Sequence, residues 1–196
     1  MAYHIYTSAI KQILSQIEKP TLLEIGIDRG QMFIPLSVFL ARSKKEFALV
    51  GVDVFVQDSL QVTLGGIDFE QGQNIQLVQG NSLEFLPRLV ELNSKFNIVL
   101  LDGDHNYHTV SKELTYLESI TYENSLVICD DYNGRWSEKD QWYAEVKGYE
   151  YVEHTTKKVD TEKHGVKTAI DEFVSKNSNW KIHQPVNSES IILLRS

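Results

Sequence analysis

The chain has 196 residues, of which 42% are hydrophobic and 23% charged, and its formal net charge is −8 at pH 7. That length suits a single domain, residues 1–196, with its own core, and the acidic balance argues against a nucleic-acid-binding face of clustered Lys and Arg. The one cysteine, Cys129, excludes an intramolecular disulfide and a thiolate zinc cluster.

Residues 1–19 predict an N-terminal helix: Ile5, Ile10, Ile13, Leu14 and Ile17 recur at helical spacing over 4–18, and Pro20 stops the run. No basic region followed by an apolar stretch opens the chain, and no apolar run approaches the roughly 20 residues of a membrane span. No membrane association and a reduced, cytoplasmic setting are therefore expected. Thr21 to Gly26 reads as a buried strand, 32–42 as a helix with Pro35 in its first turn, and Phe47 to Asp53 as a second strand. A helical or irregular segment near 57–65 follows, then a strand at Asn74 to Val78 and a helix over 82–92. Phe96 to Leu101 is the fourth strand, 108–119 a helix, and Ser125 to Cys129 the fifth strand.

The alternation then lapses. Residues 132–163 are polar, aromatic and charged, with Trp136, Trp142, Tyr143, Tyr149 and Tyr151. Loops this long are usually functional or disordered; the aromatic content favours packing, as an acceptor-binding lid or as a homodimer contact. A helix near 165–176 and strands near 179–184 and 189–194 close the chain, with Pro185 to Ser188 as the turn between the last two. Strands alternating with helices predict an α/β fold: a Rossmann-like, doubly wound, mostly parallel seven-stranded sheet with helices on both faces. The runs that are apolar throughout fit strands covered on both sides. The final pair of strands predicts an antiparallel hairpin on one edge.

In such sheets ligands bind beyond the carboxyl ends of the strands, where strand order reverses. Four of the first five strand ends offer a carboxylate: Asp28, Asp53, Asp102 with Asp104, and Asp130 with Asp131. After the first strand, Glu24-Ile25-Gly26-Ile27-Asp28-Arg29-Gly30 places glycines four apart. Gly26 permits a tight turn, and Gly30 permits close approach to a helix N-terminus. The spacing is not the dinucleotide pattern G-x-G-x-x-G. Asp53, 23 residues after Gly30, stands where an acid accepts hydrogen bonds from a ribose diol, and Phe55 is placed to pack on a purine. Asn81 and Ser82 are placed to meet a purine edge, while Ser82 also suits a helix N-cap.

Glu24-Ile25-Gly26-x-x-x-Gly30, Gly51-Val52-Asp53, Gly80-Asn81-Ser82, Asp102-Gly103-Asp104-His105-x-Tyr107 and Cys129-Asp130-Asp131-Tyr132 occur in that order. Together they resemble the class I S-adenosylmethionine-dependent methyltransferases, and more narrowly the small-molecule O-methyltransferases of the catechol and macrolide-sugar type. The resemblance implies methyl transfer from S-adenosylmethionine to a small-molecule acceptor, with a hydroxyl oxygen as the expected target. It also implies that Glu24, Gly26, Gly30, Asp53, Phe55, Asn81, Ser82 and Asp102 line the cofactor site, with Asp102 near the sulfonium and the acceptor. In catechol-type members the positions of Asp102, Asp130 and Asp131 hold Mg²⁺. The competing view is that only one or two of these acids face the site and the rest pair with Arg135 or Lys139.

His105 and His108 follow Asp102. A histidine beside the acceptor suits a general base because its pKa lies near neutrality; equally, His105 suits orienting Asp104 or the loop backbone. Asp102 and His105 are the candidate catalytic pair. Two other readings compete: a nucleotide-dependent oxidoreductase or sugar-modifying enzyme on a similar sheet, and a non-catalytic interaction module.

Overall fold

The computed structural model describes residues 10–11, 13–185 and 189–196. Seven strands form one sheet: β1 (Thr21–Ile25), β2 (Phe47–Asp53), β3 (Gln73–Gln79), β4 (Phe96–Leu101), β5 (Thr121–Cys129), β6 (Trp180–Pro185) and β7 (Ile191–Arg195). Five helices connect them: α1 (Phe33–Arg42), α2 (Asp58–Gly65), α3 (Ser82–Glu91), α4 (Tyr107–Ile120) and α5 (Val166–Lys176). Residues 10–11 and 13–16 are also helical, with Ile10 and Leu14 buried. The expected helix thus ends near 16 rather than 18, where Lys45 Nζ donates to the carbonyls of Ser15 and Ile17, each at 2.8 Å. The expected residues 4–9 of that helix and 186–188 of the last turn lie outside the described residues.

The strand order is β3-β2-β1-β4-β5-β7-β6. β1 to β5 pair in parallel, and β7 runs antiparallel to both β5 and β6. The expected doubly wound sheet with its antiparallel edge pair is therefore the observed one. The final strand inserts between β5 and β6, which leaves β6 at the edge.

Side-chain alternation divides each central strand between two apolar layers. Leu23, Val99, Leu101 and Val127 join Leu86, Leu89, Leu114, Leu117 and Ile170 of α3, α4 and α5. Leu22, Ile98, Leu100 and Ile128 join Ile10, Leu14, Phe33, Leu36, Leu40 and Leu60 on the opposite face. Both faces being covered explains why these strands read as unbroken apolar runs.

β5 starts four residues earlier than the apolar run predicts. Its first half is polar, and pairing with β4 is irregular between Phe96 and Ile98. Asn124 is left-handed there (φ 64°), and the Ser125 hydroxyl donates to Phe96 O at 2.8 Å while accepting from Tyr122 N at 2.9 Å. Hydrogen bonding therefore takes the place of apolar packing in this stretch.

Candidate active site

β1 neighbours both β2 and β4, and the connections leave it in opposite directions, so the sheet's switch point falls between β1 and β4. Backbone bonds continue beyond the strand ends and hold the loops in a row. Gly26 N donates to Val52 O (2.9 Å), Asp102 N to Ile25 O (2.9 Å), Asp130 N to Leu101 O (3.0 Å) and Gly80 N to Asp53 O (2.8 Å). A cavity of about 400 Å³ opens over this row.

The glycine turn forms its floor. Gly26 has φ +85°, and a Cβ there would stand 2.0 Å from the Asp102 carbonyl oxygen, so only glycine lets the loops after β1 and β4 approach this closely. Asp53 braces the turn from β2: its Oδ2 accepts from Ile27 N (2.7 Å) and Asp28 N (2.9 Å), and its Oδ1 from Phe55 N (2.9 Å). A carboxylate has about four acceptor positions, so Oδ1 keeps capacity for one more donor.

Glu24 is 3% exposed, and its Oε2 has no hydrogen-bond partner. Burial, with the Asp53 charge second, pushes its carboxyl well above the ordinary carboxylate range. An orphaned acid beside a cavity is costly alone and complementary to a buried cationic ligand.

Of the expected cofactor residues, Glu24, Gly26, Asp53, Asn81, Ser82 and Asp102 line this cavity. Gly30 and Phe55 are not among the lining residues. Gly30 (φ +78°) instead gives room to the side chains of Leu60 and Ile34, and Phe55 is 48% exposed. Asn81 and Ser82 are already engaged with protein groups. Asn81 Oδ1 caps α3 by accepting from Leu83 N at 2.9 Å, and Ser82 donates to the buried Glu113 at 2.6 Å.

The carboxyl groups of Asp102 and Asp130 stand next to each other at the cavity wall. The Asp102 side chain is 33% exposed, but it opens on the cavity rather than on bulk water. Burial and the neighbouring carboxylates push its carboxyl well above the ordinary range. Asp130 also accepts from the Ser190 hydroxyl.

Asp131 is left-handed (φ 55°), and its carboxylate lies against the Cβ-free face of Gly134. It is not among the cavity-lining residues, whereas Asp102 and Asp130 are. Among the described residues, no group of three or more His, Cys, Asp or Glu is disposed to hold a metal ion. Two of the three expected metal ligands thus converge on the cavity and the third stands behind His105.

His105 is buried, with Nε2 3.9 Å from Asp102 and Nδ1 3.6 Å from Asp131. Neither distance is a hydrogen bond, so the ring sits between two acids without being locked to either. His108 faces Trp142, 6.0 Å between ring centroids, and its pKa is lowered, first by burial.

Four cavity residues come from the 132–163 segment: Tyr143, Tyr149, Thr155 and Thr156. Asp104 meets this segment at Tyr143 N, 3.5 Å away, and also accepts from Thr109 Oγ1 of α4 at 3.1 Å. The aromatic content of the segment was its only sequence signal, and it did not say which ring would turn inward.

A family model described as a methyltransferase domain matches residues 23–132. Uncharacterized protein R132 of Acanthamoeba polyphaga mimivirus is 26% identical in an alignment of 143 positions that covers 69% of this chain and 63% of that protein. MycE methyltransferase from the mycinamycin biosynthetic pathway, solved with Mg and SAH, has a TM-score of 0.59 at 17% identity, covering 97% of this chain and 48% of its own. CalS11, a calicheamicin methyltransferase, has a TM-score of 0.66 at 14% identity, covering 98% of this chain and 77% of its own. This chain therefore spans about half the length of MycE and less than two thirds of the viral relative. At these identities the solved structures establish the shared fold.

Proposed function

Because the chain belongs to the methyltransferase-domain family, we propose that it moves a methyl group from S-adenosylmethionine to a hydroxyl oxygen of a small-molecule acceptor. The observation that carries the reading is Glu24. Its buried, unpartnered oxygen beside the Gly26 turn suits the amino group of the cofactor's methionine part. The spare acceptor position on Asp53 suits a ribose hydroxyl.

S-adenosylmethionine supplies an activated methyl group, so alignment and deprotonation are the work left to the protein. The turn from Gly26 to Asp28, braced by Asp53, fixes the floor of the cavity. Asp102 and His105 are the titratable groups standing together at its far side, and they are the candidates to take the hydroxyl proton. Asp131 stands 3.6 Å from the other ring nitrogen of His105.

Magnesium is a separate part of the proposal. It is commonly held by only one or two carboxylates together with water or substrate, and Asp102 with Asp130 forms such an oxygen pair. A divalent ion bound there would lower the pKa of the acceptor hydroxyl.

Calorimetric titration with S-adenosylhomocysteine and, separately, with NAD tests the cofactor assignment. Binding of the former alone supports it, and preference for NAD overturns it. Excess chelator should stop turnover and leave S-adenosylhomocysteine binding intact. Full turnover in chelator would remove the metal and leave Asp102 and His105 to act by themselves.

A further inference from the structure

The 132–163 segment divides into two parts with different attachments. Its first part docks on the start of α5, where Trp136 O accepts from Val166 N at 3.1 Å and Ser137 O accepts from Lys167 N at 3.0 Å. Its second part, 143–156, lies over the cavity. There the rings of Tyr143 and Tyr149 pair at 5.1 Å, and both line the space below. Within this strap the backbone makes local turns: Val146 N to Tyr143 O, Tyr149 N to Val146 O and Val152 N to Tyr149 O. Such bonds persist when the strap shifts as a unit.

The far end of the strap is tied by side chains. Asn81 Nδ2 donates to His154 O at 2.9 Å and to Thr156 Oγ1 at 3.1 Å. Thr156 also lies beside Asp104, where it opposes the rise that burial gives that carboxyl's pKa. One hydroxyl thus ties the strap to the loop after β3, next to the loop after β4. Capping α3 needs only the oxygen of Asn81, which an Asp or Ser would supply equally. The amide nitrogen with its two donors is the part that capping does not require, and both donors go to the strap.

We propose that Thr156, held by Asn81, latches residues 143–156 over the bound cofactor and thereby positions Tyr143 and Tyr149 against it. The segment then serves cofactor retention, whatever it adds to acceptor binding. The inference rests on the cofactor assignment above, but the latch can be tested without ligand.

Three variants separate the alternatives. Thr156→Val keeps the shape and removes the hydroxyl. Thr156→Ser keeps the hydroxyl and removes the methyl. Asn81→Asp keeps the α3 cap and removes both donors. In ligand-free protein, amide hydrogen exchange over 143–156 should accelerate about tenfold in Thr156→Val and Asn81→Asp, the size expected for one lost hydrogen bond. Exchange in α3 should stay unchanged, and Thr156→Ser should match the parent.

Unchanged exchange in Thr156→Val, or equal acceleration in Thr156→Ser, would overturn the latch. Stopped-flow release of S-adenosylhomocysteine should follow the same order, about tenfold faster without the hydroxyl. If the variants loosen the strap but release the ligand at the parent rate, the retention role falls and the latch stands. If the parent protein holds no S-adenosylhomocysteine, retention falls together with the cofactor assignment, and the exchange data still decide the latch.

Discussion

Ser82, in the first turn of α3, donates its hydroxyl proton over 2.6 Å to the carboxyl of Glu113, which is 1% exposed on α4. The bond joins a cavity-lining residue to an acid that burial raises from 4.5 to about 8, with Asp104 adding to the effect and Ser82 opposing it. Between these two values the unfolded chain releases a proton that the folded protein keeps. Stability should therefore be full below about pH 4.5 and decline through pH 8, by about 1.4 kcal/mol per pH unit from this group. Urea midpoints measured from pH 5 to pH 9 in the parent and in Glu113→Gln check this. The variant should show the flatter profile, and parallel profiles would mean that Glu113 ionises normally.

On the proposed assignment, Glu24 is costly by itself and would become favourable with a cationic group against its unpartnered oxygen. Glu24→Gln keeps the side-chain volume and removes the charge. Its melting temperature should equal or exceed the parent's, because a buried, unpartnered carboxyl is replaced by a neutral group. Its affinity for S-adenosylhomocysteine should fall about 10- to 100-fold, the range for a hydrogen bond to a charged group. A variant that binds as tightly as the parent would assign the orphan oxygen to something other than the ligand.

The strand ends were legible in the sequence because period and chemistry coincide there. An apolar run that stops at Gly26, Asp53 or Asp102 locates both the strand and the rim of the site. Two residues read from their sequence neighbours lie outside the cavity lining. Phe55 follows Asp53 closely, but adjacency does not fix which side of a loop a ring faces. Gly30 lies in the turn, yet its missing Cβ makes room for Leu60 and Ile34, and it does not line the cavity. The strap was illegible for a different reason. Its ties to Asn81 span 73 and 75 residues, and it has no period of 2 or 3.6 to reveal an inward face. The role of Asn81 was hidden with it, since the sequence shows a cap position and not the second use of the same side chain.

Asp140 shows how the first part of that segment is fixed. Its Oδ1 accepts from Tyr107 N and Gly165 N, both at 2.8 Å, at the starts of α4 and α5, and its Oδ2 meets His164 at 2.7 Å. One nearly buried carboxylate therefore serves the entry to two helices. Asp140→Ala leaves both N–H groups without that acceptor and should cost about 1–3 kcal/mol. The cost would appear as a lower urea midpoint with an unchanged slope. Asp140→Asn, which keeps one acceptor oxygen, should lose less. Equal losses in the two variants would show that charge, rather than acceptor geometry, holds the helix starts.

His105 stands near two acids and is bonded to neither at 3.6 and 3.9 Å, so its ring nitrogens remain available to a substrate. If it helps remove the hydroxyl proton, its loss should act on the chemical step and not on cofactor binding, because general acid–base groups contribute about 10²- to 10⁴-fold to that step. His105→Gln should therefore lower kcat by about 100-fold or more, leave the affinity for S-adenosylhomocysteine within about twofold, and flatten the acidic limb of the pH–rate profile. His105→Asn offers a shorter amide at the same position and should not restore activity, since neither amide accepts a proton near neutrality. An ordering role would behave differently. The affinity for cofactor would fall along with kcat as the loop after β4 loosened, and the pH–rate profile would keep its shape. That second pattern would transfer proton removal to Asp102 and leave His105 as a support for the loop that carries it.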